Sequence, residues 1–563
     1  MPEASPDPAP AARAGQPPVP ERPTGDPRLA GDLRLTGDLP LTGDLRVPGG
    51  LRPGAEARLS GFALAPAPGR ATIRRTWLDT FDWRLYRAGL TLEQVSPARG
   101  AGELRLTGRD GALITAEPLA PGRAGQPAWP LQVAGLPAGP LAEQLAGVIG
   151  VRALIPVARA TSVLREQRAL NGDDKTVARV AVDQMSVTLP AAAALPSRLA
   201  VRPVRGYQAQ AARLAGLLAA LPGVTAGGAA PLQAALAAGG RRAGDYSGRI
   251  DVDLAPGMPA RAAVALVLTA LLDTLEANVP GTIADTDTEF LHDLRVAVRR
   301  TRSALKLAGS ALPAGARGRF APEFKCLGDL TTQTRDLDVY LLELPAMTAG
   351  LEGAAPGDLG PFGEHLRRSR AQARRALLRG LRSARFARLG QDWRELLAAA
   401  AQRPRGKPPV QVLAGAAIAA AHRRVLAGGA AITPDSPPEH LHDLRKRCKE
   451  LRYALEIFAS LHAPDAQWRA VKELKGLQDC LGAYQDAEVQ RAELRAFAAQ
   501  MMAERSAPAP TLLAMGEIAA ALARRERAAR AEFDGLFRQF ARPSGQARIR
   551  ALTPGPGGPG TDG

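Results

Sequence analysis

HDLRVAVRRTRSAL, at 292–305, recurs 150 residues later as HDLRKRCKELRYAL, at 442–455. A second pair keeps the same spacing, since LGDLTTQTRDLDVY at 327–340 returns as LQDCLGAYQDAEVQ at 477–490. Two separate blocks that hold one offset predict an internal duplication. The pattern is helical from about 255 to 542. Each copy is therefore predicted to be one multi-helix unit, a four-helix bundle.

The first block of each copy gathers positive charge on one face of its helix. At about 100° per residue, the basic residues of the first copy fall within an arc of about 80°. They are His292, Arg295, Arg299, Arg302 and Lys306, and the second copy repeats the pattern with His442, Arg445, Lys449 and Arg452. Leucine and other apolar residues fall on the opposite face, where a core is expected. Such a ladder can engage successive phosphates of an extended polyanion, and arginine adds bidentate hydrogen bonds.

The competing interpretation is an ordinary solvated basic face, which is what most cationic stripes are. Few acids interleave with these cations, since only Asp293, Asp443 and Glu450 lie near them in sequence. We therefore favour ligand binding. The two histidines also have a structural alternative, a hydrogen bond near the helix start within their own bundle. A third basic run, HLRRSRAQARRALLRGLRSARF at 365–386, adds further candidates, namely Arg367, Arg370 and Arg374.

The bulk composition points to an acidic partner. Lysine plus arginine number 73 against 55 acidic residues, a formal charge of +18. Nucleic acid is a weaker candidate, because aromatic residues, which stack on bases, make up 4% of the chain. The three cysteines, Cys326, Cys448 and Cys480, have no zinc-site spacing, so no metal ligand is predicted. No uninterrupted apolar run of about 18 residues predicts a membrane span.

The repeated motifs resemble the CHAD family, the conserved histidine α-helical domain. The resemblance spans about 255–542 and implies two pseudo-symmetric four-helix bundles with a basic surface. It also implies binding of inorganic polyphosphate and association with polyphosphate granules. By motif position, the nine basic residues of the two ladders are the implied polyphosphate contacts.

The N-terminal half resembles a second family. Short β-prone segments fill 56–225, and TWLDTFDWRLYRAGLTLEQV, from Thr76, is similar to a segment of the CYTH domain. That family implies an antiparallel β-barrel that hydrolyses or cyclises triphosphates with Mg²⁺. Its first strand carries alternating glutamates, whereas ARLSGFALA, from Ala57, has no carboxylate. We therefore expect a degenerate CYTH-like domain with no catalytic residues. The alternative is a metal-dependent triphosphatase or polyphosphatase acting through this barrel.

The expected fold class is α+β and multidomain, with a β-barrel-like domain followed by an all-α domain. The predicted parts are a disordered low-complexity tail at 1–55, the CYTH-like domain at 56–225, a linker at 226–254, the helical domain at 255–542 with repeats at about 255–400 and 410–542, and a disordered tail at 543–563. The predicted function is non-catalytic polyphosphate binding without a cofactor. The expected location is the cytoplasm, on polyphosphate granules.

Overall fold

The computed structural model describes residues 39–43, 57–98, 100–119, 128–222, 224–226, 230–355, 357–402 and 408–553. The chain divides into two compact units. The first comprises 1–69, 165–182 and 197–228, and the second comprises 70–164, 183–196 and 229–563. Most of the predicted tail at 1–55 lies outside the described residues.

The strands that the structure describes belong to the N-terminal part of the chain. They are β1 (Leu39–Gly43), β2 (Ala57–Leu59), β3 (Phe62–Asp79), β4 (Thr91–Pro97), β5 (Glu103–Thr107), β6 (Leu113–Pro118), β7 (Leu131–Gln132), β8 (Ala153–Leu170), β9 (Thr176–Leu189), β10 (Ala193–Ala194), β11 (Arg198–Pro203) and β12 (Val224–Ala226). The main path runs β12-β1-β11-β9-β8-β3-β4-β5-β6. The described strands thus form an open sheet and not the closed barrel that the CYTH resemblance implies.

The first unit packs a helix onto its strands. In β9, Val180 and Val182 are buried, as expected for β-branched residues on a covered sheet face. Helix α3 (Gln208–Ala219) buries Leu214 and Leu218 against them. Strand β1 pairs antiparallel with β11 and β12. Leu39–Gly43 is therefore a strand, in contrast to the disorder predicted for 1–55.

In the second unit, β3 to β6 form an antiparallel meander. Its register places Trp77 opposite Glu93 and Leu92 opposite Leu106. Two short helices, α1 (Arg84–Arg87) and α2 (Pro140–Ile149), pack on the meander and bury Leu85 and Leu145 beside its Leu92 and Leu104. Helix α4 (Pro231–Ala238) buries Leu232 and Leu236. It lies within the predicted linker 226–254, so that prediction is wrong for residues 231–238.

From residue 260 onward the described chain is helical. The helices are α5 (Ala260–Ala284), α6 (Thr288–Ala308), α7 (Ala316–Ala349), α8 (Gly360–Leu381), α9 (Ala384–Gln402), α10 (Val410–Ala430), α11 (Pro438–Ile457), α12 (Pro464–Ala503), α13 (Ala509–Ala541) and α14 (Pro543–Arg550). The α+β fold class, with an all-α C-terminal region, is confirmed. The repeat offset recurs in the helix starts, because α10 and α11 begin 150 residues after α5 and α6.

Each repeat centres on one hydrophobic core, the first of which also includes Val410 and Tyr453 from the second repeat, and the two repeats share a third core. The first-repeat core holds Leu268, Leu294 and Trp393, and the second-repeat core holds Leu444, Leu451 and Phe533. A shared core joins the C-terminal half of α7 and the start of α8 to their counterparts in α12 and α13. Its buried members include Tyr340, Phe362, Leu494 and Met515. The two bundles are thus bound together through common packing as well as through the chain.

The end of the helical region also differs from prediction. Residues 543–550 form α14, whereas 543–563 was predicted to be a disordered tail. Ile549 and Leu552 are almost fully buried in the second-repeat core, and this apolar burial explains why the helix forms. Residues 554–563 lie outside the described residues.

One described helix, α5, is long and apolar enough to cross a membrane by length and composition alone. Half of its most apolar window is buried within the fold. Leu268, Leu271 and Leu275 in this helix belong to the first-repeat core. The core packing accounts for the apolar composition of α5.

Candidate functional site

The repeated helices α6 and α11 line a common groove. Local packing orients α6, because Asp287 accepts hydrogen bonds from the backbone N–H groups of Glu289 (2.9 Å) and Phe290 (3.3 Å) at the helix start. Leu294 and Val298 are buried on one side of α6. The groove lies on the opposite side of α6, where it is lined by His292 and Arg299 of the predicted arc and also by Asp293 and Arg300.

This α6–α11 groove has a volume of about 730 Å³. Helix α12 contributes a third wall, and residues from 82–87 and 247–249 contribute a fourth. The basic lining comprises Arg87, Arg249, Arg299, Arg300, Arg445, Lys449, Arg452 and Arg525. The acidic lining comprises Asp82, Asp293, Glu456, Asp479 and Asp486. Eight basic side chains against five acidic ones leave the groove positively charged.

The contact between α6 and α11 follows the internal duplication. Arg300 pairs with Glu456 at 3.0 Å, and Lys306 pairs with Glu450. Residues 450 and 456 are the counterparts of 300 and 306 at the 150-residue offset, so each ion pair is the mirror of the other. In the shared core, Tyr340 donates a hydrogen bond to the backbone carbonyl of its own counterpart, Gln490, at 2.8 Å. These reciprocal contacts are the signature of a two-fold, self-complementary interface.

Arg299 and its counterpart Lys449 are the central cations of the groove. Neither has an ion pair within 4 Å among the residues that the structure describes. Burial, together with the positive charges of Arg445 and Arg299, lowers the pKa of Lys449 to about 8. Asp486 opposes the shift without cancelling it. The groove therefore holds positive charge in a partly desolvated place, an arrangement that an anion would stabilise.

Other ladder residues already have protein partners. Arg445 donates to Asp486 at 2.9 Å and to the side-chain carbonyl of Gln485 at 2.8 Å. Arg452 pairs with Glu456 at 2.7 Å. Asp486 lies on α12, and Glu456 lies one turn after Arg452 on α11. Neither carboxylate lies within the segment 442–455, so the sequence of that segment did not predict these ion pairs. Arg445 and Arg452 still line the groove, with part of their charge offset.

Arg295 and Arg302 face α7 rather than the groove lining. Arg295 donates to the hydroxyl groups of Thr331 (3.2 Å) and Thr332 (2.6 Å) and to the carbonyl of Gly328. Burial lowers its pKa, while the negative charge of Asp336 raises it. Arg302 lies on the same side of α6 and is exposed. Its guanidinium group is close to α7, since it would be 3.3 Å from a Cβ atom placed on Gly328.

The two histidines have different surroundings. His292 lines the groove, where burial and the positive charge of Arg335 lower its pKa. The lowered pKa favours the neutral form of His292 over a charged one in the ladder. The Nδ1 atom of His442 is in contact with the side-chain amide of Gln485. This contact corresponds to the structural role considered for the pair.

The basic run on α8 lies apart from the groove lining. Arg370 donates to Asp285, at 2.6 and 2.8 Å, and to Asp338. Arg374 approaches Asp285 at 3.3 Å, and Arg367 pairs with Glu364 at 2.6 Å. The ion pairs offset the charge of all three arginines. The three basic runs thus do not merge into one surface along this groove.

Sequence reasoning missed several lining residues. Arg300 lies in the repeated motif but outside its arc of charges, and its pairing with Glu456 depends on the packing of two helices. Arg525 belongs to α13, far from the motif in sequence. Arg87 and Arg249 precede the helical repeats, and no local pattern marks them. Within the described ranges, no group of three or more histidine, cysteine, aspartate or glutamate side chains is arranged to hold a metal ion.

Comparison with known proteins finds a family resemblance in part of the helical half. Residues 266–495 match the family model of the CHAD domain. Among solved structures, the crystal structure of the CHAD domain from the plant Ricinus communis is 24% identical, with a TM-score of 0.41, covering 54% of this chain and 95% of that chain. PptA from Streptomyces chartreusis is 19% identical, with a TM-score of 0.39, covering 50% of this chain and 99% of that chain. No curated protein matches the sequence significantly.

Proposed function

Because residues 266–495 form a CHAD domain, a family linked to polyphosphate-related proteins, we propose that this protein binds inorganic polyphosphate in the α6–α11 groove. A similar linear polyanion would satisfy the same chemistry. The binding is non-catalytic, and it uses the basic side chains that the two repeats bring together. The N-terminal sheet has no part in this proposal beyond the residues that line the groove.

The observation that carries the proposal is the unpaired charge of Arg299 and Lys449. An ordinary solvated basic face leaves its lysines well hydrated, with pKa values near the usual 10.5. Lys449 instead has a pKa of about 8, because burial and neighbouring arginines disfavour its charged form. Phosphate oxygens would supply the missing negative charge. Arg299 can also donate two parallel hydrogen bonds to one phosphate.

A linear polyphosphate suits the groove better than a nucleic acid does. The lining is mostly charged, and Tyr453 is its one aromatic residue among those described. Single-stranded nucleic acid binding relies on aromatic stacking in addition to charge. Polyphosphate has no bases and requires only closely spaced cations along its path.

The test is a titration of the full-length protein with labelled long-chain polyphosphate at two salt concentrations. The double variant R299E/K449E should weaken binding by at least tenfold. It should also lower the slope of log affinity against log salt by about 1 to 2, because two phosphate contacts are lost. The matched control is R375E/K446E, which reverses one exposed arginine and one exposed lysine outside the groove lining.

Two outcomes would contradict the proposal. One is an equal loss of affinity in R299E/K449E and R375E/K446E, which would indicate a diffuse charge effect. The other is duplex DNA displacing polyphosphate at equal phosphate concentration and matched salt, which would favour a nucleic-acid ligand. Circular dichroism of both variants should remain unchanged, because all four side chains lie outside the helical cores.

A further inference from the structure

One wall of the groove comes from residues outside the CHAD match. It consists of 82–87, from the turn after β3 and helix α1, and 247–249, from the segment between α4 and α5. We call these residues the preceding wall. Arg87 and Arg249 stand on it, and both side chains are exposed.

A buried arginine fastens the preceding wall to helix α6. Arg152 is 1% exposed and is surrounded by three carboxylates, Asp287 at 3.2 Å, Asp293 at 2.6 Å and Asp82 at 3.4 Å. Asp287 caps α6, Asp293 lies in its first turns, and Asp82 belongs to the wall. A buried arginine with three acidic partners is costly to separate from them, so these elements keep a fixed relation.

Further contacts hold the second part of the wall. The hydroxyl group of Tyr246 donates to Asp293 at 3.3 Å and accepts from the side-chain amide of Asn278 on α5 at 2.6 Å. Arg300 of α6 donates to the backbone carbonyl of Gly248 at 2.7 Å. Phe81 packs between Tyr246 and Phe290, with ring centroids 4.3 and 4.7 Å away. The wall is therefore built onto the helices that carry the groove.

The two arginines of the wall that line the groove, Arg87 and Arg249, keep their positive charge. Arg87 donates to the backbone carbonyl of Tyr246 at 2.9 Å, a contact that leaves its positive charge without a counter-charge. Neither Arg87 nor Arg249 has an ion pair among the residues described by the structure. Two cations on a rigid support beside Arg299 and Lys449 extend the same positive lining.

We infer that Arg87 and Arg249 are phosphate ligands, so that the polyphosphate site is completed by residues that precede the CHAD domain. The inference rests on the proposed function and adds to it. A short polyphosphate chain binds only the central cations Arg299 and Lys449. A longer chain continues along the groove and engages the preceding wall, so the site prefers long chains to short ones.

The experiment compares R87E/R249E with R109E/R242E in the full-length protein. The control reverses two exposed arginines from the same part of the chain that do not line the groove. Affinities are measured for tripolyphosphate and for a long polyphosphate. R87E/R249E should lose at least tenfold in affinity for the long chain and less than threefold for tripolyphosphate. The control should change neither.

The outcomes separate this inference from the proposed function. If R299E/K449E abolishes binding while R87E/R249E behaves as R109E/R242E does, the preceding wall carries no ligands and the inference is overturned. An equal loss for both chain lengths in R87E/R249E would overturn the long-chain preference. If R299E/K449E and R87E/R249E both retain full affinity, the groove is not the binding site. The proposed function and this inference would then both be wrong.

Discussion

Lys449→Met should make the unliganded protein more stable and its polyphosphate binding weaker. The ammonium group of Lys449 is partly buried near Arg445 and Arg299, and these surroundings disfavour its charge. Methionine has a similar length and no charge, so the substitution removes the unfavourable interaction while keeping the apolar stem. The same substitution removes a proposed phosphate ligand. A binding residue whose charge is unfavourable in the free protein should show this combination, with higher stability and lower affinity after its substitution.

The size of the effect follows from the pKa of Lys449. Its fall from 10.5 to about 8 corresponds to at most about 3–4 kcal/mol of unfavourable interaction in the folded state. Solvent reaches part of the side chain and screens it, which reduces the expected gain in the free energy of unfolding to about 1–2 kcal/mol. Thermal unfolding should then occur a few degrees higher, at about 2–4 °C per kcal/mol for a domain of about 200 residues.

The pH dependence has a definite sign. Between pH 8 and 10.5 the unfolded state holds the Lys449 proton more often than the folded state does, so stability rises with pH across this window. The difference in Tm between Lys449→Met and the parent protein should be largest below pH 8 and should shrink towards pH 10.5. Polyphosphate affinity of the parent should fall as the pH rises through 8, and Lys449→Arg should flatten that fall because arginine keeps its charge.

The assay is differential scanning fluorimetry with and without saturating polyphosphate, with Lys446→Met as the matched control. Lys446 lies on the same helix but is 59% exposed and paired with Asp443. Its substitution should change neither Tm nor affinity appreciably. A ligand that binds the folded state raises Tm, and this rise should be smaller for Lys449→Met. A lower Tm for Lys449→Met at pH 7, or an undiminished polyphosphate-induced rise, would refute the reasoning.

Two further predictions concern packing. The single variants R300E and E456R should each destabilise the contact between α6 and α11, whereas the double variant R300E/E456R should recover part of the lost stability. A double-mutant cycle measured by urea unfolding should give a coupling free energy of about 1–3 kcal/mol. A coupling near zero would mean that the reciprocal ion pairs do not hold the repeats together. Ile549→Ala should cost about 2–4 kcal/mol because Ile549 is fully buried in the second-repeat core, and an unchanged thermal midpoint would show that α14 is not docked there in solution.

Much of the helical half was predictable because its signals are local. The motif pair beginning at His292 and His442 indicated the duplication, and the spacing of Leu294 and Val298 indicated which face of α6 is buried. A helix converts a sequence period of 3.6 residues directly into a face, so the side that carries Arg299 follows from the sequence alone. The same is true of its counterpart Lys449.

The fold of the N-terminal half was less predictable because its signals are not local. Strand pairing joins residues far apart in sequence, so the open order of the sheet cannot be read from any one segment. The linker and the tail were predicted from their glycine, alanine and proline content. Leu232 and Leu236 in α4 and Ile549 in α14 nevertheless find apolar partners, and burial overrides weak local preference.

The sequence by itself determined that the chain carries two copies of a basic helical unit, and which edge of each repeated helix is charged. Only the tertiary structure decided which of those charges remain unpaired. Arg445 meets Asp486, Arg370 meets Asp285, and Arg299 meets no carboxylate among the described residues. Ion pairing depends on distances of a few ångströms between helices that are remote in sequence. A helical period cannot encode such distances, and the packing of α6, α11 and α12 sets them.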